Sequence, residues 1–170
     1  MSELKKIFAL PVILFKAIRT GISALTGLVI GFIAGWIYYL FLKVINKGKK
    51  RMPLSASLKD KLQRFYPSVD FSKVRIIGNA GGIPWGKTAV THGNYIFYRE
   101  DFSEDNMKYY DLLLHELVHV EQYRKFGKGL FYILYGFQYL NSGLSYHGIE
   151  LEREAFECHR RQSNSTWSPG

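Results

Sequence analysis

The sequence has a single cysteine, Cys158, among 170 residues. That excludes an intramolecular disulfide and any zinc site built from several thiolates. Acids are scarce at one end: of the 14 Asp and Glu, only Glu3 falls within residues 1–51. The same stretch holds Lys5, Lys6, Lys16, Arg19, Lys43, Lys47, Lys49, Lys50 and Arg51, which leaves 14 cations against 13 acids in the remainder. The net charge of +9 is therefore N-terminal, and the balanced remainder offers no basic face for nucleic acid. No internal repeat is present. The length suits one modest domain with an appendage.

Charge is wholly absent from residues 21–42, GISALTGLVIGFIAGWIYYLFL. At 1.5 Å per residue, such a helix is long enough for a ~30 Å hydrocarbon core. Gly27, Gly31 and Gly35 form a small-residue stripe suited to close helix packing, and Trp36, Tyr38 and Tyr39 sit where interfacial rings belong. The expectation is a membrane anchor over 1–51 with a transmembrane helix at about 21–42. The apolar run is too long, and its C-terminal flank too basic, for a cleaved signal peptide. A shorter apolar run over residues 7–15 is expected to lie in the membrane interface. The cation cluster Lys43 to Arg51 leans the downstream domain toward the cytoplasm in a single-pass arrangement. Residues 46–57 read as a linker.

Residues 52–170 form the expected soluble domain. Leu58, Leu62 and Phe65 recur at helical spacing over 57–65, and Pro67 ends that helix. Residues 74–77 read as a strand. Residues 88–90 and 95–98 read as strands flanking a His92-Gly93-Asn94 turn. Ser103 is the expected N-cap of a long helix that stops at Gly127. Its middle, with Leu112, Leu113, Leu114, Leu117, Val118 and Val120, suits the buried central helix of a domain. The aromatic stretch 129–140 is too short to span a membrane. It either packs in the core or rests on a bilayer. The tail from Ser163 is polar.

That central helix carries the chemistry. His115 and His119 are four residues apart, so both imidazoles leave one face and converge on one ion. Neutral imidazole suits zinc. Glu116 lies beside them, placed to take a proton from an activated water and pass it to a leaving amine. Two histidines rarely hold zinc alone. Third-ligand candidates lie in the acidic helical stretch 150–157, where Glu150 and Glu154 share a face and Glu152 points elsewhere, with His147 as a further alternative. Tyr139, Tyr146 and His147 are candidate oxyanion donors.

The motif His115-Glu-Leu-Val-His-Val-Glu-Gln122, followed by Glu152-Arg-Glu-Ala155, resembles the gluzincin type of metallopeptidase. Together with Asp70-Phe-Ser-Lys-Val-Arg75 and Thr91-His-Gly-Asn-Tyr-Ile-Phe-Tyr98, it is similar to the DUF4157 family of metallopeptidase domains over roughly residues 58–160. The resemblance implies an α+β, zincin-like domain with a central HExxH helix and a short antiparallel sheet. It implies zinc-dependent peptide hydrolysis with Glu116 as base and His115, His119 and Glu152 as metal ligands. It implies that Tyr95, Ile96, Phe97 and Tyr98 form a sheet-edge strand that pairs with a peptide or protein substrate. Phe156 stands where the gluzincin pattern has an Asp, so the histidine-orienting role is unassigned. A membrane-tethered zinc-binding module without catalysis is the alternative.

Overall fold

The structure is a computed structural model that describes residues 18–22 and 25–166. A π-helical turn, Gly27–Gly31, leads into α1, Phe32–Ile45. Helix α2 spans Ala56–Gln63. Strands β1 (Arg75–Ile77), β2 (Ala89–His92) and β3 (Tyr95–Tyr98) follow. The long α3 runs Met107–Asn141, and after a 3-10 turn at Tyr146–Gly148 the chain enters α4, Glu150–Thr166.

The α+β class holds, but the sheet is mixed rather than antiparallel. Its order is β1-β3-β2, with β1 parallel and β2 antiparallel to β3. Gly93, at φ +64°, and Asn94 form the two-residue hairpin between β2 and β3, as a glycine at the first turn position favours. Strand β3 is apolar because both of its faces are covered. Ile96 and Tyr98 pack with Leu113, Leu114 and Leu117 of α3, while Phe97 packs with Leu42 of α1. This placement corrects the expectation for Tyr95, Ile96, Phe97 and Tyr98. With β1 on one side and β2 on the other, β3 has no free edge for a substrate strand.

Helix α3 starts three residues later than the Ser103 cap implied. Asn106 caps it instead, its side chain accepting a 3.0 Å bond from the Lys108 amide. Gly127, at φ 70° and ψ 162°, breaks the helix as expected, but the chain resumes helical form at once. The aromatic stretch after the break is only partly in the core, with Leu130 and Tyr139 exposed. Phe131 and Tyr132 are buried against Tyr39, Tyr123, Ile149 and Leu151.

The transmembrane helix is not supported. Among the described residues no helix is long and apolar enough to cross a membrane. The uncharged run changes to π geometry at Gly27–Gly31, and α1 has 14 residues, short of the ~20 a span requires. The single-pass location loses the helix on which it rested. One flank of this segment is part of the domain: Leu42 is fully buried with Ile77 and Phe97, and Tyr39 with Tyr132. Asn46, just past α1, donates to Leu42 O and Gly81 O and accepts from the Gly81 amide. The other flank exposes Ile33, Ile37, Leu40 and Val44. The expected interfacial run at 7–15 lies outside the described residues.

The glycine stripe does permit a close approach, to another helix of the same chain. A Cβ on Gly31 would sit 2.6 Å from the Tyr132 carbonyl oxygen and 3.1 Å from Gly136 Cα, and one on Gly35 would meet the Tyr132 ring. Gly31→Ala and Gly35→Ala are each expected to destabilise the protein by about 1–3 kcal/mol, through overpacking that outweighs the better helix propensity of alanine. Gly48→Ala, with open space around it, should change little. Thermal unfolding of the three variants checks this.

Candidate metal centre

Helix α3 enters the core between the sheet and α4, so its polar motif is as buried as its leucines. His115, Glu116 and His119 are 5%, 4% and 6% exposed. From α4, Glu152 reaches the same point and is also buried. The Nε2 atoms of His115 and His119 each lie 3.4 Å from Glu152 Oε2, and one ligand atom from each residue falls within 4.8 Å of the others. Ligands ~2.1 Å from a tetrahedral ion stand roughly 3.4 Å apart, so the two His–Glu distances suit a single bound metal ion. His115, His119 and Glu152 are thus brought together as expected.

The remaining candidates are elsewhere. Glu150 is exposed and pairs with Arg153. His147 is exposed on the 3-10 turn. Glu154 lies behind the site, where it accepts a 2.8 Å bond from Gln122 Nε2.

Gln122 fills the role left open by Phe156. Its Oε1 lies 2.8 Å from His119 Nδ1, while its amide nitrogen donates to Leu151 O and Glu154. With its amide hydrogens spent there, Gln122 can only accept from His119, which places an imidazole proton on Nδ1 and leaves Nε2 directed at Glu152. Among the described residues His115 Nδ1 is buried without a hydrogen-bond partner. Phe156 packs against the His115 ring, 4.5 Å between centroids.

Two phenols hold Glu152. Tyr135 Oη donates to Oε1 at 2.9 Å, and Tyr146 Oη donates to Oε2. Burial, reinforced by the Glu152 charge, raises both phenols well above the usual range, so they stay protonated donors. Burial alone would push the Glu152 carboxyl up, but hydrogen bonds from His115 and His119 hold it far below the ordinary carboxylate range. Burial likewise pulls His119 down, yet Glu152 and Glu116 raise it to about 9. The pocket therefore favours a positive charge among these side chains, which a metal ion would supply in place of a proton.

Glu116 is oriented from the sheet. Thr91 Oγ1 donates to Glu116 Oε2 at 2.7 Å, and β2, which carries Thr91, is the edge strand on this side. A cavity of about 530 Å³ lies against the triad and Glu116, within the range of ligand sites. Its walls come from α1, β2 and both halves of α3. Sequence reasoning did not single out Thr91, Gln122 or Tyr135 for these roles. Gln122 had a local signal, three residues beyond His119 on the same helix. Tyr135 and Thr91 had none, because their partners are distant in sequence.

His92 also lines the cavity without joining the triad. Its Nδ1 lies 3.0 Å from Tyr132 Oη and 3.4 Å from Tyr123 Oη. Burial, with Lys128 and His119 nearby, lowers its pKa to about 3. It is neutral at physiological pH, a hydrogen-bonding hub for the aromatic core.

The family model described as the eCIS core domain matches residues 53–127. That span takes in α2, the sheet and the part of α3 carrying His115, Glu116 and His119, and it ends before Glu152. The family is related to DUF4157-type domains. No curated protein and no solved structure matches the chain.

The depressed His92 pKa sets a pH dependence. The unfolded chain takes up a proton near pH 6.5 and the folded chain only near 3. Stability present above pH 6.5 is therefore lost as the pH falls from 6.5 toward 3, by up to ~1.4 kcal/mol per pH unit from this group. Denaturant unfolding of wild type and His92→Gln between pH 7.5 and 4.5 should show a slope shallower by about one proton in the variant. Equal slopes would contradict the assignment.

Proposed function

We propose that this chain is a zinc-dependent peptide hydrolase. The observation that carries this reading is the open side of the triad. Three protein donors lie within 4.8 Å of one another, no fourth His, Cys, Asp or Glu joins them among the described residues, and all three line a ligand-sized cavity. Structural zinc sites are closed by four protein ligands, whereas catalytic sites keep one position for water or substrate. His115, His119 and Glu152 would hold the ion, which when bound supplies Lewis acidity to the water and carbonyl beside it.

The chain's own residues divide the remaining work. Glu116 is the general base. Thr91 engages its Oε2, leaving Oε1 to accept the proton of the attacking water and return it to the leaving amine. Gln122 fixes the His119 tautomer, and Tyr135 and Tyr146 fix the Glu152 carboxylate. The apolar walls exclude bulk water, which strengthens these charge interactions. A peptide segment would enter along β2, the edge strand that lines the cavity, in place of the central β3.

The test is to load the full chain with zinc and follow cleavage of a mixed peptide library by mass spectrometry. Glu116→Gln should keep about one zinc per chain and lose hydrolysis by roughly 10²–10⁴-fold. A zinc-binding interaction module without catalysis predicts the same zinc content and no cleavage that depends on Glu116.

A further inference from the structure

The cavity wall away from the triad is largely apolar, with Ile30, Ala34, Val90, Phe131, Leu140 and Leu144 among its residues. Among the described lining residues Lys87 is the one Lys or Arg. It is held there by its backbone. Pro84 to Lys87 form a tight turn in which the Lys87 amide donates to Pro84 O at 3.1 Å, with Gly86 at φ +78°. A type II turn requires that positive φ at its third residue, hence glycine. Arg99 then clamps the turn: Nε donates to Lys87 O at 2.9 Å, and Nη2 donates to Ile83 O at 3.0 Å and Pro84 O at 2.7 Å.

The side chain points at the site. Its ammonium lies over the Tyr146 ring, the phenol that holds Glu152. Among the described residues it makes no ion pair. Tyr135 and Tyr146 already commit their hydroxyl protons to Glu152. An anionic group entering the cavity thus meets Lys87 as its cationic donor, with the Tyr146 ring and the charges of Glu152 and Glu116 as that ammonium's neighbours. A volume of about 530 Å³ holds a terminal residue or two rather than a long peptide.

Resting on the hydrolase reading above, we propose that Lys87 binds the free C-terminal carboxylate of a substrate peptide whose apolar or aromatic last side chain fills the cavity. The enzyme then trims chains from their C-terminal end. The ligand chemistry is an apolar body with one acidic group. The alternative source of negative charge is the oxyanion that develops on the scissile carbonyl, and a ground-state probe separates the two.

The probes are 3-phenylpropanoate and its primary amide, alike in shape and different in charge, titrated calorimetrically into the zinc-loaded full chain. Wild type should bind the acid at least about tenfold more tightly than the amide, the scale of one charge-assisted hydrogen bond. Lys87→Met should lower that ratio about tenfold, leave amide affinity and zinc content unchanged, and be rescued in part by Lys87→Arg. Equal binding of acid and amide by wild type overturns the proposal. So does an unchanged ratio in Lys87→Met, which would assign the acid to the metal or Lys87 to the oxyanion. Binding of the probes does not depend on turnover, so this proposal and the hydrolase reading fail separately.

Discussion

The structure depends on a buried carboxylate. Glu152 is 5% exposed, and an anion that far from water is tolerable only when paired and hydrogen-bonded. Two imidazoles and two phenols provide that environment, and they come from three segments: the first half of α3, its second half, and the turn before α4. Assembling them requires α3 to change direction. Gly127 supplies the positive φ that lets Tyr135 come round to the carboxylate while His115 and His119 stay on the first half. Satisfying Glu152 therefore fixes the relation of α3 to α4, and with it the cavity between them.

The orientation of the other site residues follows from the same packing. Gln122 is one helical turn from His119 and is itself held by α4 through Leu151 O and Glu154. Thr91 reaches Glu116 because β2 is the sheet edge against α3. The N-terminal helix completes the wall, with Gly31 and Gly35 against Tyr132 and Gly136. A segment that reads as separate from the domain thus lines the cavity beside the candidate metal centre.

What the sequence shows of this depends on sequence distance. The pair His115 and His119 is legible because helical spacing alone makes the rings converge, and Glu152 is legible through its motif. The pairs Tyr135 to Glu152, Thr91 to Glu116 and Lys87 to Tyr146 are set by tertiary packing, which local periodicity does not encode. Two readings failed for physical reasons. The uncharged run 21–42 measures apolarity, and apolarity cannot tell lipid from a partner helix; here Leu42 and Tyr39 are buried by the domain itself. The YIFY strand is apolar because it is central, covered on both faces, and not because a substrate pairs with it. The mixed sheet was hidden similarly, since a strand's sequence does not state the direction of its neighbour.

The central claim is that His115, His119 and Glu152 bind one metal ion with a position left open. X-ray absorption at the zinc edge of the zinc-loaded full chain tests it most directly. The account predicts one zinc per chain with two imidazole nitrogens and carboxylate oxygen at ~2.0–2.2 Å, plus a further light atom from solvent. An all-oxygen shell without imidazole scattering, or a folded chain that takes up no zinc, would contradict it.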